Sequence, residues 1–206
     1  MFMDRVPKQY WNKHVRVALS DIAVVRSGVV KVEDGSDALY VSPRHVRAGE
    51  FRSEDLAEGA APGPGAAKTS LRDGDVLINL RGDANPAATL SGLPDGAPIY
   101  ATLDVGIVRP DPTRVDPRYL TAWLNLPKTQ AGLSIDREGT RVARLSLRAL
   151  SDLGVPLPDL ERQRSFGALH AEIARERTLR TRIAEARERL LYELLRRAAE
   201  EPAPGA

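Results

Sequence analysis

The sequence has 206 residues, 42% of them apolar and 28% charged, which suits one medium soluble domain with an appendage. With no cysteine, and with three histidines (His14, His45 and His170) that lack ligand spacing, it excludes disulfides and thiol chemistry and argues against a metal site. A formal net charge of +2 sets up no strong field toward nucleic acid, and no apolar run reaches the length of a membrane span.

The opening residues, MFMDRVPKQYWNKH, lack the apolar core of a signal peptide, so a cytoplasmic location is expected. Residues 15–34 begin extended, and Ser20 is placed to cap a short helical turn. A short strand is expected around residues 39–41; Pro43 then breaks it, and the next loop carries Arg44, His45 and Arg47. Residues 58–68, EGAAPGPGAAK, read as a loop.

Residues 71–90 are more informative. Arg72-Asp73-Gly74-Asp75 is a turn signal feeding the apolar run Val76-Leu77-Ile78, and RGDANP at 81–86 is a second turn before an extended stretch at 87–90. That is the grammar of a hairpin. Residues 98–112 add strand material. Residues 116–133 read as a helix with Tyr119, Leu120, Trp123 and Leu124 on one apolar face and a turn ended by Pro127. Residues 135–158 give a glycine-centred loop, a short turn with Leu147 and Leu150, and an extended lead into the C-terminal stretch. No βαβ alternation appears, so the class expected for residues 1–158 is α+β with a small mixed or antiparallel sheet.

Residues 159–201 contain no proline, one glycine and a high density of Ala, Leu, Arg and Glu, and predict one long helix. Read as heptads, Phe166, Ile173 and Leu194 share one column and Leu169, Ile183 and Leu190 the next. Glu176, Arg180 and Arg187 interrupt this seam, while Leu179, Ala186 and Leu191 widen it. Two readings are open: the helix packs on its own domain, or it seeks a partner helix. So long a seam needs cover, which favours the second. Residues 202–206 are expected to be a disordered tail.

No catalytic constellation stands out. GDANPA has too few glycines for a phosphate loop and no Lys-Ser/Thr pair, and Asp73 and Asp75 flank a turn glycine, where Asp serves local hydrogen bonding. Binding is expected in place of catalysis, with no cofactor. Arg and polar residues gather in three loops: Arg44, His45 and Arg47; Arg81 and Asn85; Arg137, Thr140, Arg141 and Arg144. Loops on a rigid scaffold carry recognition, and Arg with Asn is the usual set for reading base edges. The alternative for each residue is a solvated charge, and the arginine bias also arises from GC-rich coding.

In this order the segments resemble type I restriction–modification specificity subunits. The resemblance rests on WNKHVRVALSDIAVVRSG at 11–28, ALYVSPRHVRAGEF at 38–51, LRDGDVLINLRGDANPA at 71–87 and GTRVARLSLRALSDLGVPLPDLERQRSFGALHAEI at 139–173. The junction VPLPDLERQ, 155–163, is its most specific piece. It implies a non-catalytic target recognition domain over 1–158 and a spacer helix over 159–201 that pairs as an antiparallel coiled coil. It also implies double-stranded DNA, a DNA adenine methyltransferase and a restriction or translocase subunit as partners. Family members usually carry two such units, whereas this sequence holds one. The simplest arrangement this implies is a homodimer through the helix, using Phe166, Leu169, Ile173, Ile183, Leu190 and Leu194, with a palindromic bipartite target; the alternative is pairing with a different half-subunit. A coiled-coil adaptor that binds protein and not DNA is the competing class.

Overall fold

This computed structural model describes residues 16–63, 65, 69–135, 137–138 and 144–200. The N-terminal arm and the expected tail lie outside the described residues. In chain order come β1 (Arg16–Ala18), α1 (Leu19–Ile22), β2 (Ala23–Ser27), β3 (Ala38–Val41), a 3-10 turn (Pro43–His45), β4 (Val46–Arg47), β5 (Glu50–Phe51) and β6 (Ala57–Gly59). The hairpin strands β7 (Val76–Asn79) and β8 (Ala87–Thr89) come next, then β9 (Ile99–Ala101) and β10 (Val105–Pro110). Helices α2 (Pro117–Leu124) and α3 (Pro127–Ile135), strands β11 (Arg137–Glu138) and β12 (Arg144–Leu145), α4 (Leu147–Ser151), β13 (Gly154–Pro156) and α5 (Leu160–Glu200) complete the chain. The fold is α+β.

A four-stranded antiparallel sheet, β2-β10-β7-β8, forms the centre. The run from Val76 to Ile78 is buried throughout because its alternate side chains enter two different cores. Val76, Ile78 and Val108 join Leu19, Ile22, Leu120, Leu124 and Leu150 on one face; Leu77, Val105 and Ile107 join Val41, Val46, Leu90 and Ile99 on the other. A second, three-stranded sheet places β3 antiparallel to β6 and parallel to β9. Strand β1 pairs with β13, which ties the start of the body to the residues that lead into α5.

Three local expectations change. The first helical turn begins at Leu19 with Ala18 as a cap that offers no side-chain bond, so Ser20 lies inside the turn and is not its cap. Burial of Leu19 and Ile22 sets its position instead. The helix expected over 116–133 is two helices: Asp116 caps α2 by accepting from the Tyr119 amide, and Pro127 opens α3. Part of the expected 58–68 loop is strand, because Ala57–Gly59 pairs with β3.

Helix α5 runs unbroken for 41 residues, about 60 Å at 1.5 Å per residue. Its inner face is made of small and polar residues: Gln163, Gly167 and Ala174 are buried against the body. Gln163 accepts from the Asp116 amide at 2.9 Å and donates to the Pro158 carbonyl at 2.8 Å. Farther along, Thr178 donates to Glu50 at 2.7 Å, and Arg182 lies 3.6 Å from Glu54. Beyond Arg182 the helix leaves the body with every residue but Glu193 exposed. The reading in which the helix packs on its own body therefore holds for its first half, yet Phe166, Leu169, Ile173, Ile183, Leu190 and Leu194 all face solvent. Among the described residues no helix is long and apolar enough to cross a membrane.

Candidate nucleic-acid interface

The carboxyl ends of β3, β7 and β9 and the start of β10 meet at one end of the body. The Thr102 amide donates to the Val41 carbonyl at 2.8 Å, and the Leu80 amide to the Asp104 carbonyl at 2.8 Å. The Asn79 side-chain amide bonds the Pro43 carbonyl at 3.0 Å, which draws the 43–47 segment to the same end. Sheet order thus gathers loops that are far apart in sequence.

Two of the expected arginines come together there. The Leu145 amide donates to the Leu80 carbonyl at 2.8 Å, and Arg81 and Arg144 form a β-bridge. Their guanidinium groups converge on Asp104, at 3.1 Å from Arg81 and 4.0 Å from Arg144, and Arg144 also donates to the Leu103 carbonyl at 2.7 Å. Exposed pairs of this kind contribute roughly 0–1 kcal/mol each, so Asp104 orients the two cations without committing them. Arg137 lies in β11, whose backbone pairs with β12. Thr140 and Arg141 lie outside the described residues.

Arg44 and Arg47 are exposed. Arg44 donates to the Asp55 carbonyl at 2.7 Å, which draws the turn after β5 against the 43–47 segment.

His45 and Asn85 are corrected by the structure: they hold the loops and do not project from them. His45 is 3% exposed, and its Nδ1 accepts from the Ser42 amide at 2.9 Å. Its Nε2 lies 3.2 Å from the Asp55 carbonyl and 3.3 Å from the Arg44 Nε, which donates to it. Asn85 is fully buried; its side chain donates to the Asn79 carbonyl at 2.7 Å, and its backbone exchanges bonds with Gln130 at 3.0 and 2.8 Å. The partners are 6 and 45 positions away, so no local pattern marks either residue as internal. The reasoning from sequence also missed Asp104, Asn79 and Gln130, which orient the loops.

Among the described residues no group of three or more His, Asp or Glu is placed to hold a metal ion. What the end of the body offers is a set of outward guanidinium groups on braced loops. Such a set suits phosphate oxygens and the acceptor edges of bases.

No protein-family model matches the sequence, and no curated protein matches it. Solved structures do. A chain from work on complex assembly and conformational transition of the type I restriction–modification system aligns at TM-score 0.60 and 20% identity, covering 93% of this chain and 50% of its own. The HsdS subunit from Thermoanaerobacter tengcongensis aligns at TM-score 0.57 and 21% identity, over 95% of this chain and 51% of that one. The type I restriction–modification S subunit from M. genitalium aligns at TM-score 0.53 and 14% identity, over 86% and 44%. The chain has the fold of type I restriction–modification specificity subunits and spans about half the length of these structures.

Proposed function

We propose that this protein is a non-catalytic, cytoplasmic DNA-recognition subunit of a type I-like restriction–modification or methylation-only complex. It directs an adenine-N6 methyltransferase to a bipartite, palindromic site; a restriction or translocase subunit is a further partner. The observation that carries the reading is the match of one recognition body and one long helix to about half of each solved specificity subunit. In this reading residues 1–158 recognise DNA and 159–201 form the spacer.

Phosphate contacts position a reader, and a few base contacts give it sequence. Arg81 and Arg144 sit on loops braced by Asp104, and Arg141 lies between Arg137 and Arg144 in the sequence. The body carries no strong field, so tight binding draws on the basic surface of the methyltransferase. The helix then sets the distance between two half-sites, the logic of dimeric readers.

The test is to express the chain with an adenine methyltransferase and map methylated adenines by sequencing. Methylation confined to one palindromic, gapped sequence is expected. Arg81→Ala or Arg141→Ala should lose or relax it, since a lost arginine–base contact costs about 1–3 kcal/mol of discrimination. Methylation that is unchanged in both variants overturns the loop assignment, and its absence from every sequence favours the adaptor reading.

A further inference from the structure

Beside the 43–47 segment, where α5 leaves the body, lies an open cleft of about 310 Å³. Arg44, Arg47, Arg52 and Arg182 line it against two acidic residues, Glu54 and Asp55. Four guanidinium groups crowd a concave wall, and few of their donors are used. Arg44 donates one bond to the Asp55 carbonyl and a longer one, 3.3 Å, to the His45 Nε2. Arg182 stands 3.6 Å from Glu54 and 3.9 Å from Glu50, too far for strong hydrogen bonds. The Nε of Arg52 is buried without a hydrogen-bond partner, 3.6 Å from Glu50. Arg47 has no ion pair among the described residues and is exposed.

We propose that this cleft is an anion site that takes a backbone phosphate of the DNA, with Arg182 of the helix as a ligand alongside Arg44 and Arg47. The proposal rests on the DNA-recognition reading above and extends the contact surface from the loops to the helix. Guanidinium forks match phosphate oxygens in pairs, and a concave wall suits a backbone contact better than a base edge. The cleft adjoins the loop end through the bond from Asn79 to Pro43, so a duplex lying on those loops passes beside it. A phosphate held by Arg44 and Arg47 from the body and Arg182 from the helix also fastens the two together where α5 emerges. DNA binding would then fix the angle of the helix and, through it, the separation of the half-sites.

The experiment uses the full chain and a 30-base-pair duplex, with affinity measured by fluorescence anisotropy across a salt series. Arg182→Ala and Arg47→Ala should each reduce the slope of log affinity against log salt by about 0.9, the loss of one phosphate contact. Both should weaken binding alike on every sequence. Glu54→Gln should tighten it, because the carboxylate that competes for Arg182 is gone; destabilisation cannot mimic that sign. Arg47 makes no ion pair among the described residues, so its removal keeps the test open if Arg182→Ala fails to fold. Arg164→Ala, on the exposed side of α5 away from the cleft, should leave the slope unchanged. Unchanged slopes in both cleft variants, or an equal loss in Arg164→Ala, overturn the site. Inorganic phosphate that binds the wild type but not Arg182→Ala, with DNA slopes unaltered, assigns the cleft to a free anion and overturns the DNA source. A wild type without duplex affinity at low salt, both alone and with the methyltransferase present, removes the DNA reading itself, whereas a binding wild type with indifferent cleft variants removes only this inference.

Discussion

Asn85 and Arg81 are four residues apart in one turn, and the structure gives them opposite tasks. Asn85 is sealed in the body, with its amide on the Asn79 carbonyl and its backbone on Gln130. Arg81 is half exposed beside Asp104. Truncating Asn85 leaves a buried carbonyl without its donor, which costs about 1–3 kcal/mol. Asn85→Ala should therefore lower the urea midpoint and, through the loop, recognition as well. Arg81→Ala removes an exposed side chain and should shift stability by no more than about 0.5 kcal/mol while reducing recognition. Urea titration beside a methylation assay checks both. Equal stability losses would mean that the two residues share one structural role. A similar contrast concerns Asp75, which is 2% exposed in its side chain and is gripped by Arg109 through bonds of 2.7 Å to each oxygen, besides accepting from the Arg72 amide. The turn aspartate thus anchors the strand rather than serving as an acid or base. Removing one partner of a buried pair costs about 3–5 kcal/mol, and the partial exposure of Arg109 argues for the lower end of that range for Asp75→Ala. A loss near that of a surface charge would mean that the grip is not maintained in solution.

The long helix shows most clearly which elements a sequence reveals. Its length and the hairpin of β7 and β8 arise from helix-forming composition and turn chemistry, and both are present. The face that docks on the body was not legible, because Gln163, Gly167 and Ala174 give no apolar signal; they are chosen for close approach. A Cβ on Gly167 would stand 2.7 Å from the Tyr119 nitrogen and 2.8 Å from the Asp116 carboxylate that caps α2. In an exposed helix Gly→Ala gains about 1 kcal/mol, but overpacking costs roughly 1–3 kcal/mol, and here no flexible side-chain end is available to yield. Gly167→Ala should thus be destabilising in thermal melts, and a raised melting temperature would show that α5 does not rest on α2. One turn farther on, burial and, second, Arg177 hold the His170 pKa below its ordinary 6.5. The folded state then binds fewer protons than the unfolded one. The stability this contributes is complete above pH 6.5 and is lost as pH falls through the lower folded value. Urea midpoints of the wild type should fall on going from pH 7 to 5.5 more than those of His170→Gln; parallel curves would remove His170 from the docking face. His45 and Asn85 were illegible for a related reason: a polar residue in a loop is drawn inward by carbonyls that only the tertiary fold supplies.

Past Arg182 the helix extends about 27 Å with no body to cover it, at 1.5 Å per residue over 183–200. Its outer side carries Ile183, Leu190, Leu191, Leu194 and Leu195, each about half exposed or more. An apolar stripe of that length on a solvated rod calls for a second helix. The charges that break the seam are satisfied locally in part, since Glu176 and Arg180 pair at 2.7 Å on the same helix. They therefore cost little when a partner approaches. If that partner is a second copy, the interface is isologous and closes on itself, and the two bodies are related by a two-fold axis. The DNA read by such a dimer must be palindromic. A heterologous half would read an asymmetric site instead, so oligomeric state and target symmetry are one prediction measured twice. Light scattering should give twice the chain mass for the wild type and a single mass for the Ile183→Asp, Leu190→Asp double variant. Both residues face solvent, so circular dichroism of the variant should keep the signal of a folded body, and its methylation should lose the gapped palindrome. A double variant that stays dimeric places the contact elsewhere. A monomeric variant that still methylates the same palindrome would mean that the methyltransferase, and not the helix, holds the two half-sites in register.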